Sequence, residues 1–258
     1  MVNVPKSHPR YVSLTIRERL VEAFKKGIVV PEGLMAHGRG EALDYIIGEA
    51  THEPARKAVR AAAALMLLSK RPVISVNGNT AALVGRELAE LGRELNAPLE
   101  VNLFYWSRER VEKIGELLRS YGAGEVLLPT DDAEEIPGLE SSRRLVSRRG
   151  IYTADVVFVP LEDGDRTEKL VRMGKKVIAV DLNPLSRTSR AATVTIVDNV
   201  VRALPELIRV VRELRPLSPQ ELRETLDRFD NERNLRESIA IIAQRLELLA
   251  AYEEPLGD

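Results

Sequence analysis

Residues 156–197 read VVFVPLEDGDRTEKLVRMGKKVIAVDLNPLSRTSRAATVTIV. Three apolar runs rich in β-branched residues, Val156–Val159, Val177–Val180 and Val194–Val197, punctuate this stretch. None alternates apolar with polar. Continuous runs of this length belong to strands covered on both faces, which is the habit of parallel sheets. A short helix is expected over 166–173, between the first two runs.

The same rhythm extends upstream. Val73–Val76 precedes a helix from about Thr80 to Leu95, and Val101–Phe104 precedes a helix opening at Ser107. Val126–Leu128 follows, then an irregular segment over 129–154. Downstream, a helix from about Asn199 to Leu214 closes the series. Strands alternating with helices of this length form βαβ units. The sequence therefore predicts an α/β protein with a Rossmann-like three-layer core, a mostly parallel sheet and extra helices at both ends. The expected organisation is one domain over 1–258, with a helical part (1–70), an α/β core (71–215) and C-terminal helices (216–258).

In the first part, 12–27 and 53–69 read as helices, flanking the polar, Gly-rich stretch Ala36–Glu41. In the last part, Ser218-Pro219-Gln220-Glu221 places Ser at N-cap, Pro at N1 and Glu at N3, a well-formed helix start. Leu235, Ile239, Ile242, Leu246 and Leu249 then form a stripe that needs a partner surface, either the same sheet or a second subunit. A homodimer is the expectation.

Composition narrows the function. The 258 residues carry 38 Lys+Arg against 39 Asp+Glu, a net charge of −1, which argues against a general nucleic-acid or anionic-membrane binder. The absence of Cys excludes a disulfide scaffold, a thiol nucleophile and Cys-ligated metal sites. No apolar run reaches the roughly 18 residues of a membrane span, and the polar start MVNVPKSHPR does not read as a signal peptide. A cytoplasmic globular protein is expected. Of the basic residues, 29 are Arg, which suits phosphate and carboxylate recognition but equally reflects a compositional bias.

In an open parallel sheet, ligands bind beyond the carboxyl ends of the strands. Four loops there are rich in polar residues. Asn77-Gly78-Asn79-Thr80 reads either as an anion site at a helix N-terminus or as a turn with a plain N-cap. Glu162-Asp163-Gly164-Asp165 offers carboxylates for Mg²⁺ or an amine, or is a solvated turn in which Asp165 caps the next helix. In Asp181–Arg190, Asp181 suits ribose hydroxyls, Asn183 a base or ribose edge, and Arg187, Thr188 and Arg190 phosphate. Asp198-Asn199 follows the last run. Separately, glycines on both sides of Arg39 would let backbone approach a ligand ahead of a helix. The chain has no GxGxxG after a strand, no GxxxxGK[ST], no GxSxG and no zinc spacing among His8, His37 and His52. Lys6–Tyr11 reads as an ordered arm. Tyr105 and Trp106 read as core or rim, and the pairs Arg143-Arg144 and Arg148-Arg149 as solvated surface.

Five blocks, VPKSHPRYxSLxxRE, HGRGEAxDYxIGE, VISVNGNxAAL, VPLEDGDRTExLVxMGK and DLNPLSRTSRxAxxTIVDNVVRA, resemble the archaeal phosphopantothenate synthetases (4-phosphopantoate–β-alanine ligases). The resemblance runs from Val2 to about Arg215. It implies a homodimeric ligase of coenzyme A synthesis that joins 4-phosphopantoate to β-alanine, turning ATP into AMP and pyrophosphate. ATP contacts are thereby implied at Arg17, Arg39, Asp181, Leu182, Asn183, Arg187, Thr188, Asn199 and Val200, with Asp198 beside them.

That chemistry requires an acyl-adenylate, because a carboxylate is a poor acyl donor. Arg17, Arg39, Arg187 and Mg²⁺ are expected to neutralise the triphosphate. Asp163, Asp165 or Glu162 would take the amine proton or hold the metal. Lys6, Arg10 and Asn77–Asn79 are the candidate pocket for the substrate's phosphomonoester. Rival readings are another ATP-dependent ligase or kinase on this scaffold and a non-catalytic nucleotide sensor; a nucleic-acid binder rests on the Arg clusters alone.

Overall fold

The computed structural model describes residues 4–130 and 132–251. Three helices come first: α1 (Tyr11–Lys25), α2 (Pro31–Ile47) and α3 (Glu53–Leu68). The core follows as β1 (Pro72–Val76), α4 (Gly78–Leu95), β2 (Leu99–Val101), α5 (Arg108–Ser120) and β3 (Val126–Leu127). A small two-stranded antiparallel unit, β4 (Ala133–Glu135) and β5 (Leu145–Ser147), interrupts it. The core resumes with β6 (Val156–Pro160), α6 (Gly164–Arg172), β7 (Lys176–Val180), α7 (Arg187–Ala191), β8 (Val194–Ile196) and α8 (Val200–Leu214). Two helices end the chain, α9 (Pro219–Asp227) and α10 (Asn231–Ala250).

The six-stranded sheet has the order β3-β2-β1-β6-β7-β8, and each neighbouring pair is parallel. Leaving the inserted hairpin aside, this is the doubly wound order in which the sequence of strands reverses between the two central ones. Here the reversal falls between β1 and β6.

β6 and the Val177–Val180 part of β7 read as unbroken apolar runs because both faces are covered. Val156 and Phe158 join one core with α3, α4, α5 and α8, while Val157 and Val159 join another with Leu170 of α6 and the hairpin residues Ile136 and Val146. The helix starts match the sequence reading at two points. Ser218 and Glu221 form a capping box at α9. Asn77 and Thr80 form another at α4, so that helix begins at Gly78.

Three expectations are corrected. The Gly-rich stretch 36–41 is not a loop before a helix but the middle of α2, so Arg39 does not face a helix N-terminus. Pro31 at the first position starts this helix, and Gly48, in the left-handed region at φ 103°, stops it. Its buried residues are Glu41, Asp44 and Ile47, so the apolar period that marks helices is missing. The segment 129–154 is not merely irregular, since it holds β4, β5, a 3-10 turn and a π turn. β2 covers Leu99–Val101, not the expected Val101–Phe104. Of the C-terminal stripe, Leu235 is buried beside Ile47, Leu182 and Val197, whereas Leu246 and Leu249 are exposed.

Candidate functional site

A cavity of about 340 Å³ opens beyond the carboxyl ends of the strands, at the β1/β6 reversal. That is where an open α/β sheet leaves a crevice, because helices run to opposite faces on either side of it. Asn77, Gly78 and Asn79 line it from the end of β1, and Leu161 and Asp163 from the end of β6. Leu182, Asn199 and Val200 contribute from beyond β7 and β8, and His37, Arg39 and Gly40 from α2.

Local bonding fixes these walls. The Asn77 amide donates to the Leu161 carbonyl at 3.0 Å, tying the first turn of α4 across the reversal to β6. The Asn79 amide donates to the Gly33 carbonyl at 2.8 Å, holding α2 over α4. A Cβ on Gly33 would run into Asn79 Oδ1, so glycine permits this close approach. The Asn199 amide donates to Asp44 at 2.8 Å, and its carbonyl caps α8. Arg39 forms no ion pair among the described residues, so its charge is available to a ligand.

Beneath the cavity lies a buried charge cluster. Glu162 accepts from both Arg143 and Arg166, and these three side chains are 1%, 8% and 0% exposed. Burial alone would raise the Glu162 carboxyl, but Arg143 and Arg166 outweigh it and hold its pKa below the usual range. Asp163 sits 3.0 Å from Arg143 Nε and is more open. Burial pushes the Asp163 carboxyl up, against the pull of Arg143. Arg143 is therefore not solvated surface, as its double-Arg context suggested: the hairpin carries it into the cavity wall. Its neighbours Arg144, Arg148 and Arg149 do remain at the surface, paired with Glu135, Glu134 and Glu125.

Several candidates stand outside this cavity. Arg17 donates through Nε to both Glu41 oxygens, at 3.0 and 2.8 Å. Arg10 lines an adjoining cavity with Asp44 and Arg202, and with His37, Glu41 and Asn199, which line both; Lys6 is exposed at the surface. Asp165 lies in the first turn of α6 and does not cap it; Asp163 holds the N-cap position, without a side-chain cap bond. Arg166 is buried on Glu162.

The Asp181–Arg190 loop is largely bonded to itself. Asp181 accepts from the Asn183 amide at 2.9 Å and the Ser186 hydroxyl at 2.5 Å, and burial raises its pKa. Asn183 accepts from Leu185, and the Thr188 hydroxyl donates to the Glu162 carbonyl at 2.9 Å. Arg187, well exposed, clasps Glu168 through two bonds of 3.0 and 2.9 Å. Asp198 accepts from the Thr51 hydroxyl at 2.6 Å and Arg202 Nε at 2.8 Å. Sequence reasoning missed Arg110 and Arg143 on the cavity wall, and gave Tyr105 there no role. Tyr105 lies just past β2 and Arg110 in the first turn of α5, a signal of position, whereas Arg143, in the turn before β5, carried none.

Comparison with known proteins bears on this site. Residues 54–245 match the family model described as phosphopantothenate/pantothenate synthetase. The chain is 55% identical over 250 residues to the 4-phosphopantoate–β-alanine ligase of Thermococcus kodakarensis, spanning 97% of this chain and 96% of that protein. It is 50% identical over 251 residues to the protein of the same name from Methanosarcina mazei, spanning 97% and 98%.

Proposed function

The chain belongs to the phosphopantothenate/pantothenate synthetase family, and from that premise we propose that it condenses 4-phosphopantoate with β-alanine, consuming ATP and releasing AMP and pyrophosphate. The product is 4′-phosphopantothenate, a precursor of coenzyme A. The observation that carries this reading is the cavity at the sheet reversal, which joins an unpaired Arg39 and the α4 turn to a raised-pKa carboxylate, Asp163.

Two steps balance the reaction. The phosphopantoate carboxylate attacks the α-phosphorus of ATP and pyrophosphate leaves with the bridging electrons. The β-alanine amine then attacks the acyl carbon, AMP departs, and the amine loses a proton. Nucleotide binding is assigned to the β7/β8 side, by Arg39, Leu182, Asn199 and Val200 on the cavity wall. The family resemblance adds Arg17, Asp181, Asn183, Arg187, Thr188 and Asp198 to that assignment, although none of them lines the cavity. Arg39 is the catalytic cation for charge growing on pyrophosphate.

Asp163 is assigned as the proton acceptor, because it lines the cavity and a raised carboxyl pKa improves a base. Asp165 lies off the cavity wall, and Glu162 is neutralised by two guanidiniums, so neither suits that task. Among the described residues no cluster of three or more His, Asp or Glu could hold a metal. Mg²⁺ is proposed to arrive on the triphosphate, where Asp163 on the cavity wall would help hold it, and would supply charge neutralisation when bound. The acid is assigned to the Asn77–Asn79 side; Lys6 and Arg10 do not line that wall.

The protein is further proposed to act in the cytoplasm as a homodimer. Exposed Leu246, Leu248 and Leu249 on α10 support the dimer, and no helix among the described residues is long and apolar enough to cross a membrane. A coupled AMP-release assay that omits each substrate in turn tests the reaction. AMP should appear only when all three are present. ADP as the product, or ATP left unspent in the full mixture, overturns it.

A further inference from the structure

We propose that Arg110 binds the phosphate of the acid substrate and thereby selects the phosphorylated acid over its free hydroxyl form. The inference rests on the ligase reading above and adds a residue that neither the motif blocks nor the family resemblance singles out.

Arg110 lies in the first turn of α5 and lines the cavity together with Leu103, Phe104 and Tyr105. Its Nη1 donates to the Tyr105 carbonyl, and its Nη2 donates to the Ile28 carbonyl at 3.0 Å. Nε is buried and has no partner. Both acceptors are neutral. Among the described residues, no carboxylate pairs with Arg110, and Glu32 acts on it only electrostatically.

Three arginines line the cavity: Arg143 is neutralised by Glu162 and Asp163, and only Arg39 and Arg110 keep an unpaired charge. The reaction brings two phosphorylated substrates together. Arg39, on α2 beside Leu182, serves the nucleotide. That leaves Arg110 for the second phosphate.

Its surroundings fit the acid. Arg110 Nη2 lies against Gly78, where an added Cβ would stand 3.1 Å from it, so the guanidinium borders the N-terminal turn of α4. Backbone N–H groups of that turn and the helix dipole favour an anion. Leu83, Leu103 and Phe104 beside it give apolar surface for the branched carbon skeleton of the acid. The two backbone bonds also fix the guanidinium in advance, which lowers the entropy lost on binding.

Steady-state kinetics of Arg110→Gln and Arg110→Lys, with ATP, β-alanine and either 4-phosphopantoate or pantoate, test this. Loss of a charge-assisted contact to phosphate should raise KM for 4-phosphopantoate about 10- to 100-fold in R110Q. KM for ATP should stay within about twofold, and the preference for the phosphorylated acid over pantoate should fall by the same factor. R110K should recover part of it. An unchanged KM for 4-phosphopantoate, or an equal loss with both acids, overturns the assignment, since a merely structural arginine would affect both alike. Calorimetric titration of 4-phosphopantoate without ATP separates this from the reaction itself. If the wild-type protein makes no AMP, the ligase reading fails, while a more than tenfold weaker titration in R110Q still supports the phosphate contact. Should R110Q not fold, the R110K preference ratio decides: unchanged selectivity rejects the proposal.

Discussion

Replacing Glu162 by Gln removes the one carboxylate that, among the described residues, pairs directly with Arg166. The Glu162 side chain is 1% exposed and Arg166 fully buried; Arg143 is nearly so. In the variant, Arg143 keeps a carboxylate, Asp163 at 3.0 Å, but Arg166 is left with neutral acceptors such as the Ser75 hydroxyl at 3.2 Å. Breaking a buried pair from one side costs about 3–5 kcal/mol, because the remaining charge stays desolvated. Against a total stability of about 5–15 kcal/mol this is a large fraction. For a chain of this length, Tm should fall by roughly 6–20 °C.

The pH dependence has a definite sign. The Glu162 pKa is held below its ordinary value, so its stabilisation is complete above about 4.5, the unfolded value, and is lost as pH falls through the folded one. The gap between wild type and E162Q should therefore be widest at neutral pH and close in acid. Denaturant unfolding at a series of pH values measures it. A double variant, Glu162→Gln with Arg166→Met, removes the stranded charge and should recover more than half of the loss. If E162Q lies within about 1 kcal/mol of wild type at pH 7, or the double variant is no better than the single, the cluster does not work as described.

Two further outcomes are expected. Burial between the sheet and the hairpin raises the Glu100 carboxyl to about 7, although it accepts from the Ser147 and Ile151 amides at 2.9 and 2.7 Å. A raised carboxyl binds its proton more tightly in the folded state, so its contribution to stability should decline as pH rises from about 4.5 to about 7, by roughly 3 kcal/mol in all. Carboxyl ¹³C NMR should follow its titration, and a midpoint below 5 would contradict this. Arg39→Ala should cut kcat/KM by about one to three orders of magnitude, as for loss of one transition-state donor, with wild-type turnover excluding its role.

Most strands, though not β2 with its buried Glu100, and several caps were legible because their chemistry is local. A strand buried on both faces must be written in apolar, β-branched residues, as in Val156–Val159, and a capping box such as Ser218/Glu221 is complete within four residues. The Asn77 turn was legible in position but not in role. Whether it is a cap, an anion site or both depends on Leu161 and Arg110 arriving beside it.

The helix α2 and the charge pattern of the cavity were decided elsewhere. Glu41 and Asp44 make the buried side of α2 polar, and what compensates them is Arg17, 24 residues away, and Arg202, 158 residues away. A periodicity of apolar residues cannot reveal a helix whose inner face is built from ions. Likewise, nothing local to Arg143 or Arg110 tells which keeps its charge free. The sequence by itself determined a parallel sheet and the end of it where ligands gather, since burial leaves its mark on composition. Only the tertiary structure decided which arginines are neutralised and which face the cavity. Ion pairing acts over a few ångströms of space, and the chain brings those partners together from distant segments.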